Sequence, residues 1–312
     1  MVFSSLVFLL LFLPLLLLPY FLCARTAWRN AVLLVFSLVF YAWGEPRFIL
    51  CMLGATLINY VAGLLLARQR RLWLRRLVLT LGVIASLGAL VYFKYTAFLL
   101  SAVSDLLHLG WTAPEVTLPI GISFYTFQIL TYTVDVYRGR AQVQRNPFRL
   151  LLYVSCFPQL IAGPIVQYAD IEAQLGSRRV TLTDFSEGMG RFAVGLGKKV
   201  LLANLCGRMV EELPGGGALS VAGAWLSAAM YMLQIYFDFS AYSDMAIGLG
   251  RTLGFSYREN FRYPYVSDSV SEFWRRWHIS LGSFFRDYVY IPLGGNRHGT
   301  GKTVRNLLIV WA

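Results

Sequence analysis

The sequence predicts an all-α polytopic membrane protein, and three observations carry that expectation: the composition, a series of apolar runs, and basic residues confined to alternate loops. Of the 312 residues, 57% are hydrophobic and only 14% charged. An average soluble domain holds roughly 25% charged residues. The mean hydropathy is +0.57.

The elements follow in order. The opening MVFSSLVFLLLFLPLLLLPYFLCARTAWR has no Lys or Arg before its apolar run. The run Leu6–Cys23 exceeds the ~7–15 residues of a secretory h-region, and no small-x-small cleavage site follows. It reads as a retained first spanning helix, close to the ~20 residues a crossing needs. Further apolar runs cover Ala31–Trp43, Phe48–Ala67, Leu77–Leu100, Leu118–Val136, Phe148–Val166, Phe192–Leu205 and Leu219–Phe237, and another begins at Leu307. Ala31–Trp43 is short, so tilting or snorkelling of Arg29 and Asn30 is expected to extend it. At least eight membrane helices in a single domain, 1–312, are anticipated.

Arg25 and Arg29 lie in the first loop, Arg68, Arg70, Arg71, Arg75 and Arg76 in the third, and Arg138, Arg140, Arg145 and Arg149 in the fifth. The intervening loops carry Glu45 with Arg47, then Asp105, His108 and Glu115. The positive-inside rule puts the basic loops in the cytoplasm and the amino terminus outside. The net charge of +12 is therefore topological: the bilayer is the expected partner, and nucleic acid is not. Cys23, Cys51, Cys156 and Cys206 stand apart, without the spacing of a disulfide framework or a metal site. Gln167–Gly190 mixes both signs of charge and reads as an interfacial loop.

From Asp238 to Arg305 the chain turns polar, in short amphipathic pieces that cannot span. Such a tract at membrane depth must be buried in protein or line a wet cavity. In YFDFSAYSDMAIGLG, Tyr236 to Gly250, Ser240 and Asp244 share a helical face. Asp238 and Asp244 are intramembrane acids and hence functional candidates. Capping of a helix starting near Tyr242 by Asp238 and Ser240 is the structural alternative.

In ENFRYPYVSDSVSEFWRRWHISLGSFFRDYVYIPLGG, Ser269 and Glu272 form a capping box that starts a helix near Val270. Glu272 and Arg276 make an i,i+4 ion pair. His278 falls one turn after Trp274, with Leu281 and Phe285 continuing the face. Its imidazole is expected against aromatic surface and neutral near pH 7, as a general base requires. A structural histidine satisfied by a carbonyl is the alternative. Arg275, Arg286 and Asp287 add polar density around it. LGGNRHGTGKT ends like a phosphate loop, but Asn296 stands where a glycine is needed and no βαβ unit surrounds it. A tight turn before another helix, flanked by Arg297, Lys302 and Arg305, fits better.

YFDFSAYSDMAIGLG, ENFRYPY and EFWRRWHISLGSFFRDYVYIPLGGNR, in that order, resemble the membrane-bound O-acyltransferase family, in its branch acting on bacterial alginate and related exopolysaccharides. MVFSSLVFLLLFLP and Tyr41-Ala42-Trp43-Gly44 resemble that branch too, so the resemblance covers the whole chain. It implies a ring of tilted transmembrane helices around a polar re-entrant core with a tunnel. It implies His278 as the family's first signature position. Asp238, Ser240, Tyr242, Asp244, Trp274, Arg275, Arg276, Arg286, Asp287 and Asn296 are the candidates for binding substrate or supporting the site. A second histidine, usually treated as catalytic, is expected in a G-L-W-H-G stretch beyond Ala312, which makes these residues an amino-terminal portion.

The resemblance further implies acetyl-coenzyme A as acyl donor with no resident cofactor, and residence in a bacterial inner membrane with the amino terminus periplasmic. Periplasmic acetyl-transferring proteins and the exopolysaccharide synthesis complex are the implied partners. Competing readings are D-alanyl transfer from a carrier protein to teichoic acid, a proton-coupled transporter using Asp238, Asp244 and His278, and a structural scaffold for polysaccharide export.

Overall fold

The computed structural model describes residues 1–112, 114, 116–161, 163–213 and 220–311, and the regular elements among them are helical. Glu115, one of the charges expected in an outer loop, lies outside the described residues. The chain divides into two compact units, one of Arg25–Ile161 and Gln167–Leu175, the other of Met1–Ala24, Ala162–Val166 and Gly176–Ala312.

A π-helical turn, Phe8–Phe12, leads into α1, Leu13–Leu22. The next unit begins with α2, Thr26–Gly44, then α3, Ile49–Arg68, and α4, Leu72–Leu107. Three described helices are long and apolar enough to cross a membrane, Thr26–Gly44, Pro46–Arg68 and Leu72–Leu107, where eight were anticipated. The others are too short, broken or too polar.

The run expected to be shortest is one of the three. It starts five residues early, at Thr26, and Arg29 and Asn30 are buried rather than snorkelling. Asn30 Nδ2 donates to the Leu175 carbonyl (3.0 Å), so the extra turn is satisfied by protein.

α5, Ile122–Arg138, starts after Gly121, whose φ of 74° admits a left-handed turn. It crosses the interior with Thr126, Gln128, Thr131, Thr133 and Asp135 buried. Asn59 of α3 ties it to α4: Asn59 Nδ2 donates to Ser86 Oγ (2.8 Å), and Thr133 Oγ1 donates to Asn59 Oδ1 (2.6 Å). Interhelical bonds of this kind satisfy polar groups that lipid cannot.

Phe148–Val166, expected as one apolar helix, breaks into α6, Pro147–Ser155, and a single turn α7, Phe157–Leu160. Cys156 between them is non-helical, with Pro158 in the first turn of α7, where a missing N–H costs nothing. Ser37 Oγ accepts the Phe157 N–H (3.2 Å). The expected interfacial loop is largely helical as well, holding α8, Tyr168–Gly176, and the start of α9, Leu182–Gly197. Thr181 and Asp184 form a full capping box there, a signal the polarity of the stretch concealed.

α9 runs through a π-helical turn, Lys198–Ala203, into α10, Asn204–Glu212. α11, Val221–Thr252, packs along α9. A Cβ added at Gly188 would stand 2.7 Å from the Gly248 carbonyl oxygen, and one at Gly195 2.8 Å from that of Ala241. Small residues therefore let the two backbones touch.

α11 overturns the capping reading of Asp238 and Ser240. Its cap is Ser220, whose hydroxyl accepts the Gly223 N–H, and the helix passes through 238 to 244 without a break. Its far end is held by Tyr20 and Arg178. The Tyr20 hydroxyl (2.5 Å) and Arg178 Nε (3.0 Å) donate to the Leu253 carbonyl, and the guanidinium lies over the Phe255 ring at 4.4 Å.

Candidate active site

The polar tract after α11 folds as two short helices, α12, Val270–Arg276, and α13, Ile279–Phe285. Ser269 Oγ accepts the Glu272 N–H as anticipated (3.2 Å), but the Glu272 carboxylate bonds the Asp268 N–H (3.1 Å). The Asp268 N–H and the Arg276 guanidinium hold Glu272 below the usual carboxylate range. Arg276 pairs with Glu272 at 2.5 Å.

One continuous helical face through Trp274, His278, Leu281 and Phe285 does not form. α12 ends at Arg276, Trp277 is extended, and His278 takes φ 45°, ψ 54°, a left-handed conformation. Such a conformation costs a non-glycine residue roughly 1–2 kcal/mol, and strain of this kind gathers at functional sites. Trp274 is half exposed and contacts Phe273 and Trp311. The aromatic surface on the imidazole comes instead from Phe239 of α11, edge-on at 4.7 Å, and Phe261, near-parallel at 6.4 Å. Burial there pulls the His278 pKa from its ordinary 6.5 down to about 4. The imidazole is therefore neutral at pH 7, the protonation state a base needs.

Residues 260–262 run beside 276–279: Arg262 N–H donates to the Arg276 carbonyl and Ile279 N–H to the Asn260 carbonyl, both at 2.9 Å. The Asn260 side chain is fully buried, with Oδ1 3.0 Å from His278 Nδ1.

Phe261 also lines a cavity of about 300 Å³. Ser240, Ser243 and Asp244 of α11 face it, as do Arg191 and Lys198 from α9 and its π turn, together with Tyr236, Glu259, Arg262 and Tyr263. The shared face of Ser240 and Asp244 is therefore realised. The hydroxyls of Ser240 and Ser243, both buried, make no hydrogen bond among the described residues.

Asp244 binds two cations: Arg191 Nη2 donates to Oδ1 (2.8 Å) and Lys198 Nζ to Oδ2 (2.6 Å). Arg191 also grips Glu259 through two parallel bonds of 2.6 and 2.5 Å, the fork geometry that suits guanidinium and carboxylate. Arg191 and Glu259 also border a second cavity, of about 410 Å³, so their ion pair forms part of the wall of each.

The remaining candidates stand apart from this cavity. Asp238 pairs with Lys199 (2.7 Å) beside a different polar cavity, Tyr242 stacks on Phe3 at 4.7 Å, and Arg286 pairs with Asp287 (2.8 Å). Arg275 and Asn296 are exposed. Gly294, Gly295 and Gly299 take positive φ in the turn before α14, Thr300–Trp311, as the glycine-rich sequence led us to expect. Sequence reasoning missed Arg191, Lys198, Glu259 and Asn260. Their partners lie up to 68 positions away along the chain, and the only local signal was charge at Arg191 and Lys198 in or beside the apolar run Phe192–Leu205.

A family model of the membrane-bound O-acyltransferases matches residues 111–312, about two-thirds of the chain and the whole of the site. The chain belongs to the membrane-bound O-acyltransferase family. Relatives in the family include the probable alginate O-acetylase of Pseudomonas aeruginosa, 45% identical over 99% of this chain and 60% of its own length. The peptidoglycan O-acetyltransferase of Helicobacter pylori is 33% identical over 100% and 65%, and the teichoic acid D-alanyltransferase of Bacillus subtilis 28% over 55% and 45%. The chain thus spans about three-fifths of the length of the alginate O-acetylases it matches.

Proposed function

We propose that this membrane-bound O-acyltransferase chain belongs to an enzyme that moves an acetyl group from a cytoplasmic thioester across the inner membrane, for O-acetylation of an exopolysaccharide such as alginate. The observation that carries the reading is a neutral imidazole packed against Phe261, a residue that also lines a charged cavity, in a chain similar along 99% of its length to alginate O-acetylases. Acetyl-coenzyme A is the proposed donor. Three cations, Arg191, Lys198 and Arg262, face two acids, Asp244 and Glu259, across the cavity, and that single positive surplus suits a phosphate-bearing handle.

In this scheme His278 takes the proton of the acceptor hydroxyl as its oxygen attacks the thioester carbonyl. The tetrahedral intermediate collapses with loss of the thiolate, which recovers the proton from the imidazolium. General-base assistance of this kind contributes typically ~10²–10⁴ in rate. The proposed acceptor is a periplasmic acetyl-transferring protein of the exopolysaccharide complex, with the basic loops cytoplasmic and the amino terminus periplasmic. D-alanyl transfer is less well supported, because that relative matches just over half of the chain.

His278→Ala should lower the acetyl ester content of secreted polymer by a factor of about 10² or more at equal protein abundance in the membrane. Wild-type ester content in that variant would defeat the role given to His278.

A further inference from the structure

Three contacts converge on one atom of a fully buried side chain. Asn260 Oδ1 lies 3.2 Å from Ser280 N, 2.9 Å from Ser280 Oγ and 3.0 Å from His278 Nδ1. Amide oxygen and nitrogen are normally interchangeable in such a position, and which one points where must be settled by its neighbours. Here the backbone settles it, because the Ser280 N–H can only donate and so faces an oxygen. Ser280 Oγ agrees: it accepts the Ile165 N–H at 3.0 Å, and its own proton goes to Asn260 Oδ1 at 2.9 Å rather than to His278 Nδ1 at 3.5 Å.

The consequence passes to the imidazole. An amide oxygen has no proton to give, so a hydrogen bond at 3.0 Å requires the proton on Nδ1. A neutral imidazole carries a single N–H, which places the lone pair on Nε2. We propose that Asn260 is a positioning residue that locks His278 in the Nδ1–H tautomer, so that Nε2 is the atom presented as the base.

The backbone of Asn260 supports the same end. Its carbonyl accepts the Ile279 N–H, and its neighbour Arg262 donates to the Arg276 carbonyl. The left-handed turn at His278 is thereby clamped from both sides. Among the described residues, the charged side chains on the elements that meet the ring are engaged elsewhere or exposed. Asp238 is engaged by Lys199, Glu259 by Arg191 and Arg276 by Glu272, Arg262 and Arg275 are exposed, and burial alone accounts for the His278 pKa.

The tautomer stands on geometry, whereas its kinetic consequence rests on the acyl-transfer reading; the experiment separates them. ¹⁵N-histidine NMR of the protein in lipid nanodiscs, with His278→Gln to assign the signals, reports which ring nitrogen carries the proton. At pH 7 the wild type should show a protonated Nδ1 and a bare Nε2, and Asn260→Ala should lose that preference. Asn260→Asp keeps an acceptor on Nδ1 but adds a negative charge beside it. Its spectrum should retain Nδ1–H, while the acid limb of thiol release from acetyl-coenzyme A moves up by about one to three pH units.

An Nε2–H tautomer in the wild type overturns the proposal, as does loss of Nδ1–H in Asn260→Asp, or an acid limb unmoved in Asn260→Asp while His278→Gln abolishes thiol release. Should Asn260→Ala fail to fold, the wild-type spectrum and Asn260→Asp still decide. Full thiol release by His278→Gln, with the wild-type spectrum as expected, would sink the acyl-transfer reading and leave the tautomer lock standing.

Discussion

At His278 the chain accepts a disfavoured backbone conformation and packs a titratable ring against two phenylalanines, and burial keeps that ring neutral. The folded pKa of about 4 lies below the ordinary 6.5. A group shifted this way contributes stability that is complete above about 6.5 and is lost as pH falls, because the unfolded chain binds the proton first. Activity follows the native value: thiol release should be flat with respect to His278 between about pH 5 and 7 and fall through about pH 4. A limb centred near 6.5 would mean an imidazole open to water. The carboxylates differ in weight. Asp244 is mostly buried and holds two cations, whereas the Asp238 side chain is 48% exposed and holds one. Asp244→Asn should destabilise the detergent-solubilised protein by roughly 3 kcal/mol and Asp238→Asn by under ~1 kcal/mol, read as shifts in thermal midpoint.

The α9 and α11 pair is the element on which the cavity depends, since it supplies Arg191, Ser240, Ser243 and Asp244. Its glycines divide into two kinds. A Cβ at Gly248 would stand 2.6 Å from the Gly188 carbonyl oxygen and from Phe192 N, whereas one at Gly190 or Gly197 would meet nothing within 4 Å. Gly248→Ala should force the helices apart and cost about 1–3 kcal/mol. Gly197→Ala should leave stability unchanged or raise it by about 0.5–1 kcal/mol, because glycine is a poor helix former. Loss of stability in both variants alike would refute the close approach of the two backbones. Element boundaries were only partly legible. Ser269 announced α12 correctly, but the step from apolar to polar at Asp238 marks no boundary, since α11 continues past it and turns Ser240, Ser243 and Asp244 to the charged cavity.

At the scale of the whole molecule, the alternation of arginine-rich and arginine-poor loops yields a topology that can be checked directly. A cysteine at position 70 should react with a membrane-impermeant thiol reagent only after the membrane is breached, and one at position 109 without breaching it; the reverse pattern would invert the proposed orientation. The helical membrane class and the family follow from the sequence alone, because hydropathy and long ordered motifs are local properties of the chain. Which apolar runs become long helices was decided by folding: Asn30 and Leu175 complete a helix that looked too short, and the Cys156–Pro158 corner cuts one that looked whole. The site's chemistry was decided there too. The proton on His278 is placed by Asn260, 18 residues away, and the charge of the cavity by Arg191 and Asp244, 53 apart. Hydrogen bonds and ion pairs act over a few ångströms of space, and the distances between these residues in space exist only once the chain has folded.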